Sequence, residues 1–171
     1  VELTPISDKW KDVVTAGRGQ MYSLALSENV SVIFVVIYCY TGGQDSTWTA
    51  SRSDDIILAA FLELFEYPRA PVFITTDLNA EPHKLRFLSD LLETQVWTDL
   101  GAKAELWGGN NLEYTCISHN TNTSTRRDYI FANDHALQFV SGFQIFHTDA
   151  IPVHDVLQLR TRPDAAPTTY A

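Results

Sequence analysis

The sequence predicts a mixed α/β sandwich in which two packed β-layers are flanked by helices. Two observations carry that prediction. Residues 30–40 (VSVIFVVIYCY) form an unbroken β-branched and aromatic run closed by Thr41-Gly42-Gly43, the pattern of a strand buried on both faces. The elements after it run strand, helix, strand, helix, then mostly strands, an order that favours a sandwich over an all-parallel doubly wound sheet.

Taken in order, Glu28-Asn29 reads as the hairpin turn that leads into this central strand. A polar loop at 42–52 follows, and Ser53-Asp54-Asp55 offers an N-cap with acidic residues in the first helical turn. Ile57, Phe61, Leu64 and Phe65 continue at helical spacing until Pro68 stops the element. Residues 71–76 (PVFITT) form a short buried strand that delivers Asp77-Leu78-Asn79 at its end. A second helix is predicted over 82–93, with Leu85, Leu88, Leu91 and Leu92 along one side. The segments 113–118, 127–132, 137–147 and 156–161 read as strands. One domain spans 1–162, and the linker-like Pro163-Asp164-Ala165-Ala166-Pro167 opens a tail over 163–171.

A chain of 171 residues with 45% hydrophobic content has enough apolar surface for one sizeable core. No window is apolar enough to span a bilayer, and the first residues show no signal-peptide pattern. Cys39 and Cys116, the only cysteines, lie in strand-like apolar runs, so they are expected to be free buried thiols in an intracellular setting. The sequons at Asn29 and Asn122 carry no weight, since such triplets arise by chance. A net charge of −9 excludes broad attraction to a phosphate backbone; any such attraction is local, supplied by a few arginines and a divalent cation. An acidic site that recruits a metal is compatible with this charge.

Several residues carry chemistry. On an extended chain Asp77 and Asn79 project to one face, where a carboxylate orients or deprotonates water and an amide holds a phosphate oxygen. The bland alternative is an Asx-turn that caps the next helix. In Arg126-Arg127-Asp128-Tyr129-Ile130-Phe131, Arg126 and Asp128 share one face while Tyr129 and Phe131 share the other. A carboxylate in such an apolar strand needs a partner. Arginine is the structural partner and histidine the functional one. His154, in residues 151–156 (IPVHDV), precedes the last strand and is the candidate imidazole. His83, His119, His135 and His147 are assigned no role.

In order, these residues are Tyr38-Cys39-Tyr40 closing a buried strand, Asp77-x-Asn79, Trp97-Thr98-Asp99, Thr115, Arg126-x-Asp128-Tyr129 and His154. The series resembles the endonuclease/exonuclease/phosphatase superfamily, which includes abasic-site, DNase I-type and retroelement endonucleases as well as inositol and sphingolipid phosphodiesterases. The resemblance implies a DNase I-like two-sheet sandwich flanked by helices, here as the C-terminal portion of the domain without its N-terminal strands. It implies a Mg²⁺- or Mn²⁺-dependent phosphodiester hydrolase, most plainly an endonuclease, acting on nucleic acid or another phosphate ester by attack of water. It assigns Tyr40 to contact with the scissile phosphate, Asp77 to the attacking water, Asn79 and Arg126 to phosphate binding, and Asp128 to orienting His154, which stabilises charge on the phosphate.

Departures from the family pattern are Thr76 in place of a glycine, Val153 in place of an aspartate, and no counterpart before Tyr40 of the strands bearing an asparagine and the metal-binding glutamate. The metal ligands are therefore expected to be incomplete in this chain. Two alternatives stay open: a non-catalytic remnant acting as a binding module, and a phosphatase for phosphoinositide or phospholipid headgroups.

Overall fold

The structure is a computed structural model that describes residues 1–28, 30–118, 123–148, 151 and 153–162. Asn29, Asn122, His119, Pro152 and the tail 163–171 lie outside the described residues. Helix α1 (Asp8–Thr15) is capped by Ser7, whose hydroxyl accepts from the Trp10 amide, and it is anchored by the fully buried Trp10 indole. Strands β1 (Gly19–Ser27) and β2 (Val30–Tyr38) form an antiparallel pair. Helix α2 (Thr47–Leu64) makes the crossover that the parallel pairing of β2 with β3 (Val72–Asp77) requires.

Helix α2 starts earlier than predicted, at an N-cap on Ser46 rather than Ser53. Residues 47–52 hold no breaker, so the helix extends back through them. Ser53 is instead buried, its hydroxyl accepting from the Tyr40 amide. Asp54 caps a different helix, accepting from the amides of Phe87 and Leu88. The predicted helix over 82–93 divides into a 3₁₀ turn, Pro82–Lys84, and α3 (Arg86–Glu93), because Leu85 is extended between them.

Strands β4 (Trp97–Asp99), β5 (Cys116–Ser118), β6 (Thr123–Thr125) and β7 (Asp128–Asn133) follow. The strand predicted over 137–147 begins late, because Asn133 caps a short helix α4 (Asp134–Leu137) before β8 (Val140–Phe146). The last strand, β9 (Val156–Thr161), has the predicted bounds.

The main sheet has the order β1-β2-β3-β7-β4. One face packs under α1, α2 and α3 around Trp10, Val35, Ile57, Ile74 and Phe131. The other packs Val32, Phe73, Ile130 and Ala132 against Phe143 of the β8–β9 hairpin. That second layer covers only the first half of β2. Phe34 stacks on Phe73 with ring centroids 5.2 Å apart, whereas Val36 and Tyr38, further along the same face, are 46% and 49% exposed. The expected burial on both faces therefore holds for one end of the strand alone. Cys39 is buried and its thiol pushed up to about 12 by burial; Cys116 is also free. Among the described residues no helix is long and apolar enough to cross a membrane.

Candidate functional site

Strand register builds the site. Asp77, the last residue of β3, pairs with Tyr38 on one side and with Asp128, the first residue of β7, on the other. Two carboxylates thus stand directly opposite each other on adjacent strands, an arrangement that repels unless a cation or proton intervenes. Alternation places Asp77 on the same face as Phe73, toward the β8–β9 layer.

His154 arrives from that second layer. A bridge between Cys116 and His154 and hydrogen bonds from Ile117 N to Val153 O (3.0 Å) and from Asp155 N to Thr115 O (2.8 Å) hold its segment beside β5. Its Nδ1 lies 2.9 Å from Asp128 Oδ2, leaving Nε2 on the opposite side of the ring. One ligand-capable atom from each of Asp77, Asp128 and His154 lies within 4.8 Å of the others.

Electrostatics follow from this crowding. Burial and then the Asp128 charge raise the Asp77 carboxyl above its usual range, against the lowering effect of His154 and Asn79. Burial pulls the His154 imidazole down, but the hydrogen bond and charge of Asp128, helped by Asp77 and Asp155, pull it up further, so the net shift is upward.

Asn79 adopts a left-handed conformation (φ 53°), and its amide donates to Asp77 Oδ1 at 3.2 Å. The Asx-turn is therefore present, and Asn79 leaves the extended conformation assumed for the pair, while the next helical turn has no side-chain cap. The same turn brings the Asn79 side-chain amide to Cys39 O at 3.4 Å, beside the Asp77 carboxylate. Thr115, fully buried, accepts from both the Arg127 and Asp128 amides at 2.9 Å. With its carbonyl it also holds Asp155, so this one residue fixes the strand start of Asp128 and the loop of His154. Val153 has φ 68°, a region that a β-branched side chain occupies only under strain.

The remaining predicted residues lie differently. Arg126 commits both terminal nitrogens to Asp99, one of them at 2.7 Å, and stacks over Tyr129. Gly101 leaves room for that guanidinium, which a Cβ there would meet. Tyr40 packs against the helix-side core, and its hydroxyl accepts from Arg52 at 2.6 Å. Among the described residues no hydrogen bond links that hydroxyl to Asp77, Asn79, Asp128 or His154. The tyrosine level with Asp77 is Tyr38.

No family model and no curated protein sequence matches the chain. Solved structures do. The endonuclease domain of TRAS1, a telomere-specific non-LTR retrotransposon, superposes with a TM-score of 0.62 at 12% identity over 85% of this chain and 64% of that one. The 3′ phosphatase NExo from Neisseria, bound to a product DNA hairpin, gives 0.63 at 12% identity over 85% and 65%. The Xenopus laevis APE2 catalytic domain gives 0.57 at 14% identity over 94% and 62%. The chain has the endonuclease/exonuclease/phosphatase fold. It spans less than two thirds of each of these three endonuclease/exonuclease/phosphatase-fold chains. Within that fold the Asp77, Asp128 and His154 cluster occupies the ends of β3 and β7, where the second layer meets the main sheet.

Proposed function

We propose that this chain carries the hydrolytic site of a divalent-cation-dependent phosphodiesterase acting on a nucleic-acid strand. The observation that carries the reading is the facing pair Asp77 and Asp128 with His154 closing the third side. Asp77 is the group that orients the attacking water and draws its proton as the P–O bond forms. The leaving alkoxide departs from the opposite side of phosphorus and takes a proton from solvent, giving a phosphomonoester and an alcohol, while Asp77 returns its proton to solvent. His154, held through Nδ1 by Asp128, presents Nε2 to the charge that builds on the non-bridging oxygens. We assign the hold on that phosphate to the Asn79 amide and to a tyrosine at the end of β2, either Tyr40 or Tyr38, which is level with Asp77.

The donor set suits one cation. Asp77 and Asp128 offer carboxylate oxygens, and the Asp77 carboxyl, raised by burial and then by the facing Asp128 charge, sits where a dication would relieve that repulsion. When bound, the cation neutralises phosphate charge. The cage is one-sided, because Val153 stands where a further carboxylate is expected. Slow turnover and weak Mg²⁺ affinity follow for this chain alone.

The test is release of nitrophenol from bis(p-nitrophenyl) phosphate, and nicking of plasmid DNA, with Mn²⁺ or Mg²⁺ against EDTA. Metal-dependent turnover lost in Asp77→Asn and His154→Ala is expected. Turnover that survives EDTA or Asp77→Asn, or none at saturating Mn²⁺, refutes the reading.

A further inference from the structure

A ladder of alternating aromatic rings and guanidinium groups leads away from the site. It starts at Tyr38, level with Asp77 and 49% exposed. The Arg18 guanidinium lies 5.7 Å from the Tyr38 ring centroid and 3.7 Å from that of Tyr40. Arg52 lies 4.0 Å from the same Tyr40 ring and donates to its hydroxyl, and its guanidinium is 4.9 Å from the ring of Trp48, 66% exposed. The five side chains come from the end of β2 and the residues just after it, the turn before β1 and the start of α2, so three parts of the chain converge to make the row.

Two features separate this row from an ordinary surface brace. The chain carries a net charge of −9, with 21 acidic residues to 12 Lys and Arg, yet neither arginine forms an ion pair with a carboxylate among the described residues: Arg18 donates to the Tyr38 and Cys39 carbonyls and Arg52 to the Tyr40 hydroxyl, so both keep their charge unneutralised. Arg126, the described arginine that does, is buried against Asp99. The two large rings at the ends of the row, Tyr38 and Trp48, are left open where burial would have been the cheaper arrangement.

The geometry points to a track for the unpaired strand of a nucleic-acid substrate, running from Trp48 along Arg52, Tyr40 and Arg18 to Tyr38 and the Asp77 site. Exposed rings stack bases without regard to sequence, while guanidinium planes take both stacking and backbone phosphate. Such a row supplies the local attraction that the acidic molecule as a whole cannot. Duplex DNA fits poorly, since its bases are not free to stack and its binding rests on many phosphate contacts. An anionic membrane surface is likewise opposed by the net charge. The inference rests on the phosphodiesterase reading for its direction, because the row gains its meaning by ending at the cluster.

The experiment measures binding in EDTA, where cleavage is silent. Anisotropy of a labelled single-stranded oligothymidylate is read against the full chain, with the matching duplex and an inositol polyphosphate as competitors. The single strand is expected to bind and to be displaced by neither competitor at equal concentration. Trp48→Ala is expected to weaken binding about tenfold, the effect of one lost stacking platform. Arg52→Ala is expected to weaken it and to lower the salt dependence by about one phosphate contact. Arg52→Lys keeps the charge and loses the planar stack, so it restores the salt slope but not the affinity.

Trp48 and Arg52 are exposed, and a thermal melt verifies that each variant is folded. Unchanged affinity in folded Trp48→Ala and Arg52→Ala, or a preference for the duplex or the inositol phosphate, overturns the track. Binding without metal-dependent hydrolysis leaves the track standing and removes the catalytic reading. Hydrolysis of the small diester without single-strand binding does the reverse.

Discussion

Strand β7 has a carboxylate at each side, and the two are treated in opposite ways. Asp99, on β4, is saturated: both oxygens take the Arg126 guanidinium, and Oδ1 also accepts from the amides of Gly101 and Ala102. Asp77, on β3, faces another carboxylate and accepts from the Asn79 amide. The first arrangement spends charge on holding the fold, and the second keeps charge available at some expense to it. On the proposed reading, that difference separates a structural acid from a functional one more sharply than burial does, since both side chains are only partly exposed.

The largest effect is expected from breaking the saturated pair. Asp99→Ala leaves the Arg126 guanidinium, 11% exposed, without its counter-charge. Removal of one partner from a buried pair typically destabilises by about 3–5 kcal/mol. Urea denaturation checks this, and a loss below about 1 kcal/mol makes Asp99 an ordinary surface acid. Next in size is Thr115→Val, which keeps the shape but removes the hydroxyl that accepts from the Arg127 and Asp128 amides. A loss of about 1–3 kcal/mol is expected. The proton resonances of His154 should move with it, because Asp128 and the His154 loop lose a shared support.

How much of this contrast was legible in the sequence depends on the range of the interaction. Residues 71–76, Asp77 and Asn79 were readable because a buried strand and its turn are local. Asp128 and His154 were readable as a pair because a carboxylate in an apolar strand demands a partner, and His154 Nδ1 at 2.9 Å supplies it. The Asp99 and Arg126 pair was not foreseen. Arg126 was expected on phosphate because a strand pattern gives its face but not what stands opposite, and Asp99 comes 27 positions earlier. That Tyr38 stands level with Asp77 was not legible, because strand register is not given by alternation. Ser53 was read as a cap because its composition is that of one; only packing shows that its hydroxyl serves Tyr40 instead.

The opposite sign is expected at the functional carboxylate. Asp77→Asn removes the like charge across from Asp128 while the carboxamide oxygen still accepts from Asn79. Stability should rise by up to about 1 kcal/mol at neutral pH as turnover disappears. Because the folded-state carboxyl is raised, its ionisation works against the fold. The gain should therefore shrink in acid, where the wild-type carboxyl is protonated in both states. A stability loss in Asp77→Asn at pH 7 places Asp77 with Asp99 as a structural acid.

The smallest effect in energy is the most diagnostic of the dyad. His154 is about one-third exposed, so its pair with Asp128 is worth less than about 1 kcal/mol after solvent screening. Its pH signature has a definite sign. With the folded imidazole raised above the unfolded one, the contribution is fully present below the unfolded pKa of about 6.5 and fades as pH rises through the folded value. In Asp128→Asn the hydrogen bond weakens and the charge is gone, while burial of the ring remains and lowers the imidazole. The His154 midpoint in an NMR titration should therefore fall from above that of a free imidazole toward or below it, and the stability increment in mild acid should vanish. A His154 midpoint that stays put means that Asp128 does not hold the imidazole, and the charge-stabilising role given to His154 then loses its support.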